Sequence, residues 1–126
     1  MHFIETEASR NNAGHYSPAV AHNGLLYISG QLSLDPATGR VPEGGIVAET
    51  QQALANLDAV LHAAGITKNH IIQCRLYTSD MRYWQAINQE YARYFGKHKP
   101  ARAVVPTSAL HYGCLLEIEA IAALTL

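Results

Sequence analysis

The chain reads as an α+β fold, a two-layer sandwich with two helices on one face of a mixed five- or six-stranded sheet. Three observations carry this. Two segments repeat apolar residues at the three-and-four spacing of an amphipathic helix. Several shorter segments alternate or run apolar for four to eight residues, as strands do. Their order, β-β-β-α-β-α-β-β, provides two helices to cover one face of a sheet and leaves the other face bare.

The elements follow in chain order. His2 to Thr6 is a short edge strand. Ser9 to Gly14 has turn chemistry, and the loop continues through His15-Tyr16-Ser17-Pro18, where Pro18 holds Ser17 extended. Ala19 to His22 and Leu25 to Gly30 are strands joined at Asn23-Gly24, the strongest short hairpin signal. Asp35 to Gly39 is a second turn. In Ile46 to Ala64 the apolar or small residues fall at 47, 50, 54, 57, 61 and 64, and Gly65 stands where a helix C-cap belongs. Ile71 to Thr78 alternates, with Ile72, Cys74 and Leu76 against Gln73, Arg75 and Tyr77. Asp80 or Ser79 caps a second helix, whose buried stripe is Trp84, Ile87, Tyr91 and Phe95 and which ends at Gly96. Lys97 and His98 lie near its negative end.

Two closing strands carry charges. The first, Ala101 to Pro106, contains Arg102. The second, Leu115 to Leu124, contains Glu117 and Glu119 two apart, hence on one face. A strand face bearing such charges is either open to water or part of a polar site, because a dry unpaired core would not hold them. The expected bare face joins Leu115, Ile121, Ala123, Tyr77 and Val104 to Arg102, Glu117, Glu119, Arg75 and Gln73. That mixture is too apolar for water and too polar for a closed core. Self-association of sheet faces is the simplest resolution, with polar pockets at the seams.

Composition narrows the function. The chain has 126 residues, 48% of them hydrophobic, which suits one domain over 1–126. The net charge is −1 and no basic run exists, so binding to a phosphate backbone has little electrostatic support. Cys74 and Cys114 lie far apart and read as buried free thiols. No apolar run approaches the roughly 20 residues of a membrane span, and the N-terminus lacks a signal-peptide pattern. The expectation is a soluble cytoplasmic protein.

Seven scattered histidines form no His-Glu-x-x-His pair, and no Cys-x-x-Cys is present, so no metal site is expected. Glycine-rich phosphate loops and a Gly-x-Ser-x-Gly elbow are also missing, and the lysines at 68, 97 and 99 lie in polar settings. An enzyme built from this chain works without cofactor or covalent nucleophile, by positioning, hydrogen bonding and a water.

Ser29-Gly30-Gln31, Asn88, Pro100-Ala101-Arg102 and Glu117-Ile118-Glu119-Ala120-Ile121-Ala122 together resemble the RidA/YjgF family of enamine/imine deaminases, over about residues 14 to 122. The resemblance implies a chorismate-mutase-like sandwich built as a homotrimer, with sites in the clefts between subunits. It implies that Arg102 grips the carboxylate of a 2-imino or 2-aminoacrylate acid, as a planar guanidinium does in two hydrogen bonds. Glu117 matches the carboxylate that positions water, and near Arg102 it is expected to stay ionised. Tyr16 matches a covering aromatic; Ser29, Gly30 and Asn88 match walls of the substrate pocket. Val104 stands where the family often has cysteine and contributes its backbone amide. The rival reading of Arg102 is an interface salt bridge to a glutamate. Glu119, Gln52 and Asn56 read as structural.

The sequence departs from the family at His15, Val104, His111 and Tyr112, which bear on substrate choice. The implied activity is hydrolysis of 2-aminoacrylate-type intermediates to 2-oxo acids and ammonium. A non-catalytic small-acid-binding or chaperone-like trimer is the alternative. The charge weighs against a third role, endoribonuclease or translation inhibitor.

Overall fold

The computed structural model describes residues 1–11 and 13–126. Its strands are β1 (His2–Ile4), β2 (Ala19–His22), β3 (Leu25–Leu32), β4 (Ile71–Thr78), β5 (Ala101–Pro106) and β6 (Leu116–Ala123). Its helices are α1 (Gly45–Ala63) and α2 (Trp84–Phe95). Short 3-10 turns occupy Ala8–Asn11, Lys68–His70, Met81–Tyr83 and His111–Gly113. Of the expected Ser9 to Gly14 turn, position 12 lies outside the described residues.

Among the described residues the sheet has six strands in the order β1-β2-β3-β6-β4-β5. All neighbours are antiparallel except β4 and β5, which run parallel and are joined through α2. The β2–β3 hairpin turns at Asn23 and Gly24, both with positive φ (50° and 78°), the backbone that Asn-Gly supplies at low cost.

Both helices lie on one face and the sheet's other face is uncovered. The core between the layers contains Leu26, Leu57, Leu61, Leu76, Ile87, Leu116 and Ile118, all fully buried. Each such side chain stabilises the fold by roughly 1.5–3 kcal/mol through area removed from water. In β6 the alternation is complete: Leu116, Ile118, Ala120 and Ala122 are buried, whereas Glu117, Glu119, Ile121 and Ala123 face the open side. Cys74 and Cys114 are buried free thiols.

Four sequence expectations need correction. Ile72 is exposed and Ile71 buried, because the β4–β6 register shifts between Ile71 and Gln73. Val47 is exposed, and the buried side of α1 runs through Thr50, Ala53, Leu54, Leu57, Val60 and Leu61. Trp84, at the first position of α2, is 37% exposed rather than part of the buried stripe. Arg102 and Val104 lie on the helix side of β5, not on the open face. Their strand partners are Cys74 and Leu76, both core residues, and paired strand residues share a face.

Candidate active site

β5 is an edge strand beside β4, so a long side chain on its helix side reaches along α2. Arg102 does this. Its Nη1 donates to Oδ1 of Asn88 at 2.8 Å. Its guanidinium carbon lies over the ring of Tyr91 at 4.9 Å and over that of Trp84 at 5.6 Å. Trp84, Asn88 and Tyr91 follow one another at i, i+4 and i+7, the spacing of one helix face. The ion pairs among the described residues are Arg75–Glu119, Arg82–Asp80 and Arg93–Glu90, so among these residues Arg102 has no carboxylate partner. The interface salt bridge weighed for it is not formed inside one protomer.

Val104, two residues on, is half-buried against the core. Beneath Arg102 the Cys74 thiol is pushed up to about 11 by burial, against smaller opposing influences from Tyr91 and Arg102. It stays protonated at neutral pH and is no nucleophile.

Glu117 stands on the other side of the sheet. In β6 it pairs with Leu32 of β3 and Tyr77 of β4. Its carboxylate rests on Gly30, where an added Cβ would come within 2.7 Å of Oε2. Glycine lets the carboxylate take this seat, because a larger side chain would have to push it aside. Burial is the main influence raising the Glu117 carboxyl above the usual range. Glu119 adds to it, and His111 pulls the other way. Within one protomer Arg102 does not keep this carboxylate ionised: the two groups lie on opposite faces, and the surroundings of Glu117 in its own chain favour the proton.

Glu119 has partners enough to account for it. It accepts from the Tyr77 hydroxyl at 2.6 Å and from Arg75 at 3.1 Å. A shallow pocket of about 110 Å³ lies on this open face, lined by residues that include Tyr27, Gln73, Arg75 and Ile121; Arg102 is not among them.

The loop before β2 is tied to β3 through Ser29. Its hydroxyl donates to the Ser17 carbonyl at 2.6 Å, and its backbone N–H to the Pro18 carbonyl at 2.9 Å. Tyr16, just ahead in that loop, is 56% exposed. Ser29 therefore positions the loop that carries Tyr16. The expected site residues thus form two groups, Arg102 with Asn88 and Val104 on the helix side, and Glu117 with Gly30 on the open side.

The sequence reading missed the two rings beneath Arg102. The signal was present in the spacing of Trp84, Asn88 and Tyr91. Asn56 is structural, as expected: its amide donates to the carbonyls of Leu32 and Leu34 at 2.9 and 2.8 Å and holds the end of β3. Among the described residues no group of three or more His, Cys, Asp or Glu side chains could hold a metal, and no helix is long and apolar enough to cross a membrane.

Residues 6–124 match the family model described as Endoribonuclease L-PSP. A RutC family protein of Pyrococcus horikoshii is 43% identical over 94% of this chain and 94% of its own length. The 2-iminobutanoate/2-iminopropanoate deaminase of Mus musculus is 41% identical over 94% of this chain and 88% of its own. Among solved structures, the Rid family protein YyfA of Yersinia pestis superposes with a TM-score of 0.91 at 41% identity, covering 97% of this chain and 98% of that one. TdcF of E. coli, solved with bound serine, gives 0.90 at 30% identity and 98% of both chains.

Proposed function

The chain belongs to the Endoribonuclease L-PSP family, the RidA/YjgF group of its named relatives, and from that premise we propose that it is a cofactor-independent imine deaminase. The observation that carries the reading is Arg102, a guanidinium held by a neutral amide and two rings, with no carboxylate partner among the described residues. A cation so held is suited to an acid brought by a ligand.

The proposed substrate is the imine tautomer of 2-aminoacrylate or its ethyl homologue. Arg102 holds the carboxylate. Water adds to the C=N carbon, giving up a proton to Glu117. That proton passes to the nitrogen, leaving a carbinolamine. Glu117 then takes the remaining hydroxyl proton and hands it to the nitrogen as the C–N bond breaks, so that a 2-oxo acid and ammonia leave, the ammonia taking a proton from solvent to become ammonium. An imine carbon is already electrophilic, so oriented water and a proton shuttle suffice. The raised Glu117 carboxyl is a stronger base, once ionised, than an ordinary carboxylate.

Arg102 and Glu117 lie on opposite faces of one sheet, so a small acid that touches both must lie between two copies. We propose a homotrimer of a single domain spanning 1–126, with Arg102, Asn88 and Val104 from one copy facing Glu117, Gly30, Ser29 and Tyr16 from its neighbour. The uncovered face, where Tyr27, Ile121 and Ala123 stand among charges, supports such an assembly.

The test generates 2-aminoacrylate in situ and follows 2-oxo acid release. Wild type is expected to accelerate it and Arg102→Ala to give only the uncatalysed rate. Equal rates in both sink the proposal. The serine bound to TdcF favours one second reading, a small-acid-binding trimer without turnover; saturable binding of 2-oxobutanoate with no imine hydrolysis would support it.

A further inference from the structure

The holder of Arg102 has a chemical character of its own. Asn88 contributes a neutral carbonyl oxygen, and Trp84 and Tyr91 contribute ring faces. None of the three cancels the positive charge. An aspartate or glutamate in their place would hold the side chain more tightly and compete with any incoming carboxylate. Trp84 is moreover the chain's only tryptophan and is kept 37% exposed at the head of α2, with the Arg102 guanidinium over its ring. Tyr91 is buried, and its hydroxyl has no partner of ordinary hydrogen-bond geometry; the Cys74 thiol is its polar neighbour. The ring, not the hydroxyl, is what Tyr91 offers Arg102.

We infer that Trp84 and Tyr91 are positioning residues for Arg102: their ring faces fix the plane of the guanidinium before any acid arrives, while leaving its charge and its other N–H groups to the ligand. A free arginine side chain has about 2 kcal/mol of rotamer entropy to lose on binding. Stacking it beforehand removes part of that loss from the binding step. The inference rests on the reading of Arg102 as carboxylate anchor, and its effect belongs to substrate capture rather than to the attack of water.

The test compares Trp84→Phe, which keeps a ring face, with Trp84→Leu, which keeps apolar bulk alone, and with Tyr91→Phe, which loses only the hydroxyl. The first readout is the Arg102 side-chain Nε–H signal in proton–nitrogen NMR, which ring currents displace and which needs no substrate. Wild type, Trp84→Phe and Tyr91→Phe are expected to show a displaced signal, and Trp84→Leu one moved towards that of free arginine. The second is the coupled imine assay. Trp84→Leu should raise KM about tenfold with kcat within about twofold, and both phenylalanine variants should stay near wild type. Identical Arg102 signals in Trp84→Leu and Trp84→Phe overturn the inference, as does a Trp84→Leu defect confined to kcat and thermal midpoint. If wild type hydrolyses no imine, the deaminase reading falls and the NMR signal still decides whether the rings position Arg102.

Discussion

Gly30 and Glu117 are in contact across β3 and β6: a methyl group at position 30 would stand 2.7 Å from Oε2 and 2.8 Å from the carboxyl carbon of Glu117. The clash falls on the far end of a flexible side chain rather than on backbone. Gly30→Ala should therefore fold with stability within about 1 kcal/mol of wild type, while swinging the carboxylate off its seat. Imine hydrolysis should fall by at least about tenfold, since a misplaced general base loses most of its effect. Steady-state kinetics beside a denaturation curve decides it. Full activity in a folded Gly30→Ala would remove Glu117 from the mechanism.

The pH dependence has a definite sign. Burial and the neighbouring Glu119 raise the Glu117 carboxyl, with His111 opposing. A base must be ionised to accept a proton, so activity should fall on acidification at a higher pH than an ordinary glutamate, near 4.3, would dictate. Glu119→Gln removes the like charge and should move this acid limb to lower pH; His111→Ala should move it higher. For stability the raised folded value means that the folded state holds the proton longer than the unfolded one. Stability should thus decline as pH rises from the unfolded value through the folded one, and Glu117→Gln should flatten that decline. A pH–rate profile that is the same in Glu119→Gln and wild type would show that the limb belongs to another group.

Most of the fold is legible in the sequence because its local signals agree. Asn23-Gly24 dictates the hairpin, and the alternation of Glu117 and Glu119 with Ile118 and Ala120 dictates which way β6 faces. The phase of β5 is not legible. Ala101, Ala103 and Val105 are as apolar as Val104, so alternation does not say on which side Arg102 leaves the strand; the pairing with Cys74 does. The register shifts in β3 and β4 leave no compositional mark either, and the one between Ile71 and Gln73 decides the exposure of Ile72. The split of the expected site between two faces is a property of the sheet as a whole, which no short motif encodes.

Glu49 is the buried carboxylate that braces the approach to Glu117. Its Oε1 accepts from the Ser33 hydroxyl at 2.8 Å and from the Leu115 amide at 2.9 Å. The Leu115 carbonyl in turn accepts from the Thr78 hydroxyl at 2.9 Å. Leu115, two residues before Glu117, is thus held at both its N–H and its carbonyl, from α1 and from β4. Glu49→Ala leaves the buried Ser33 hydroxyl and the half-buried Leu115 amide unpaired and should cost about 2–4 kcal/mol in urea denaturation. Glu49→Gln keeps an accepting oxygen and should cost roughly half as much. Equal losses in the two variants would mean that the charge, not the hydrogen bonds, does the holding.

The division of Arg102 and Glu117 between opposite faces makes the sharpest forecast. If each site takes its arginine from one copy and its glutamate from the next, Arg102→Ala and Glu117→Gln are separately inactive yet complementary. Co-expressed in equal amounts and assembled at random, they leave about one site in four with both groups intact, because each of the two contributing copies is sound at its own position half the time. Roughly a quarter of wild-type activity should then return on mixing, with KM unchanged, because the restored sites are native in every contact. A site built within one copy would give no recovery in any mixture, since every copy would lack one of the two groups.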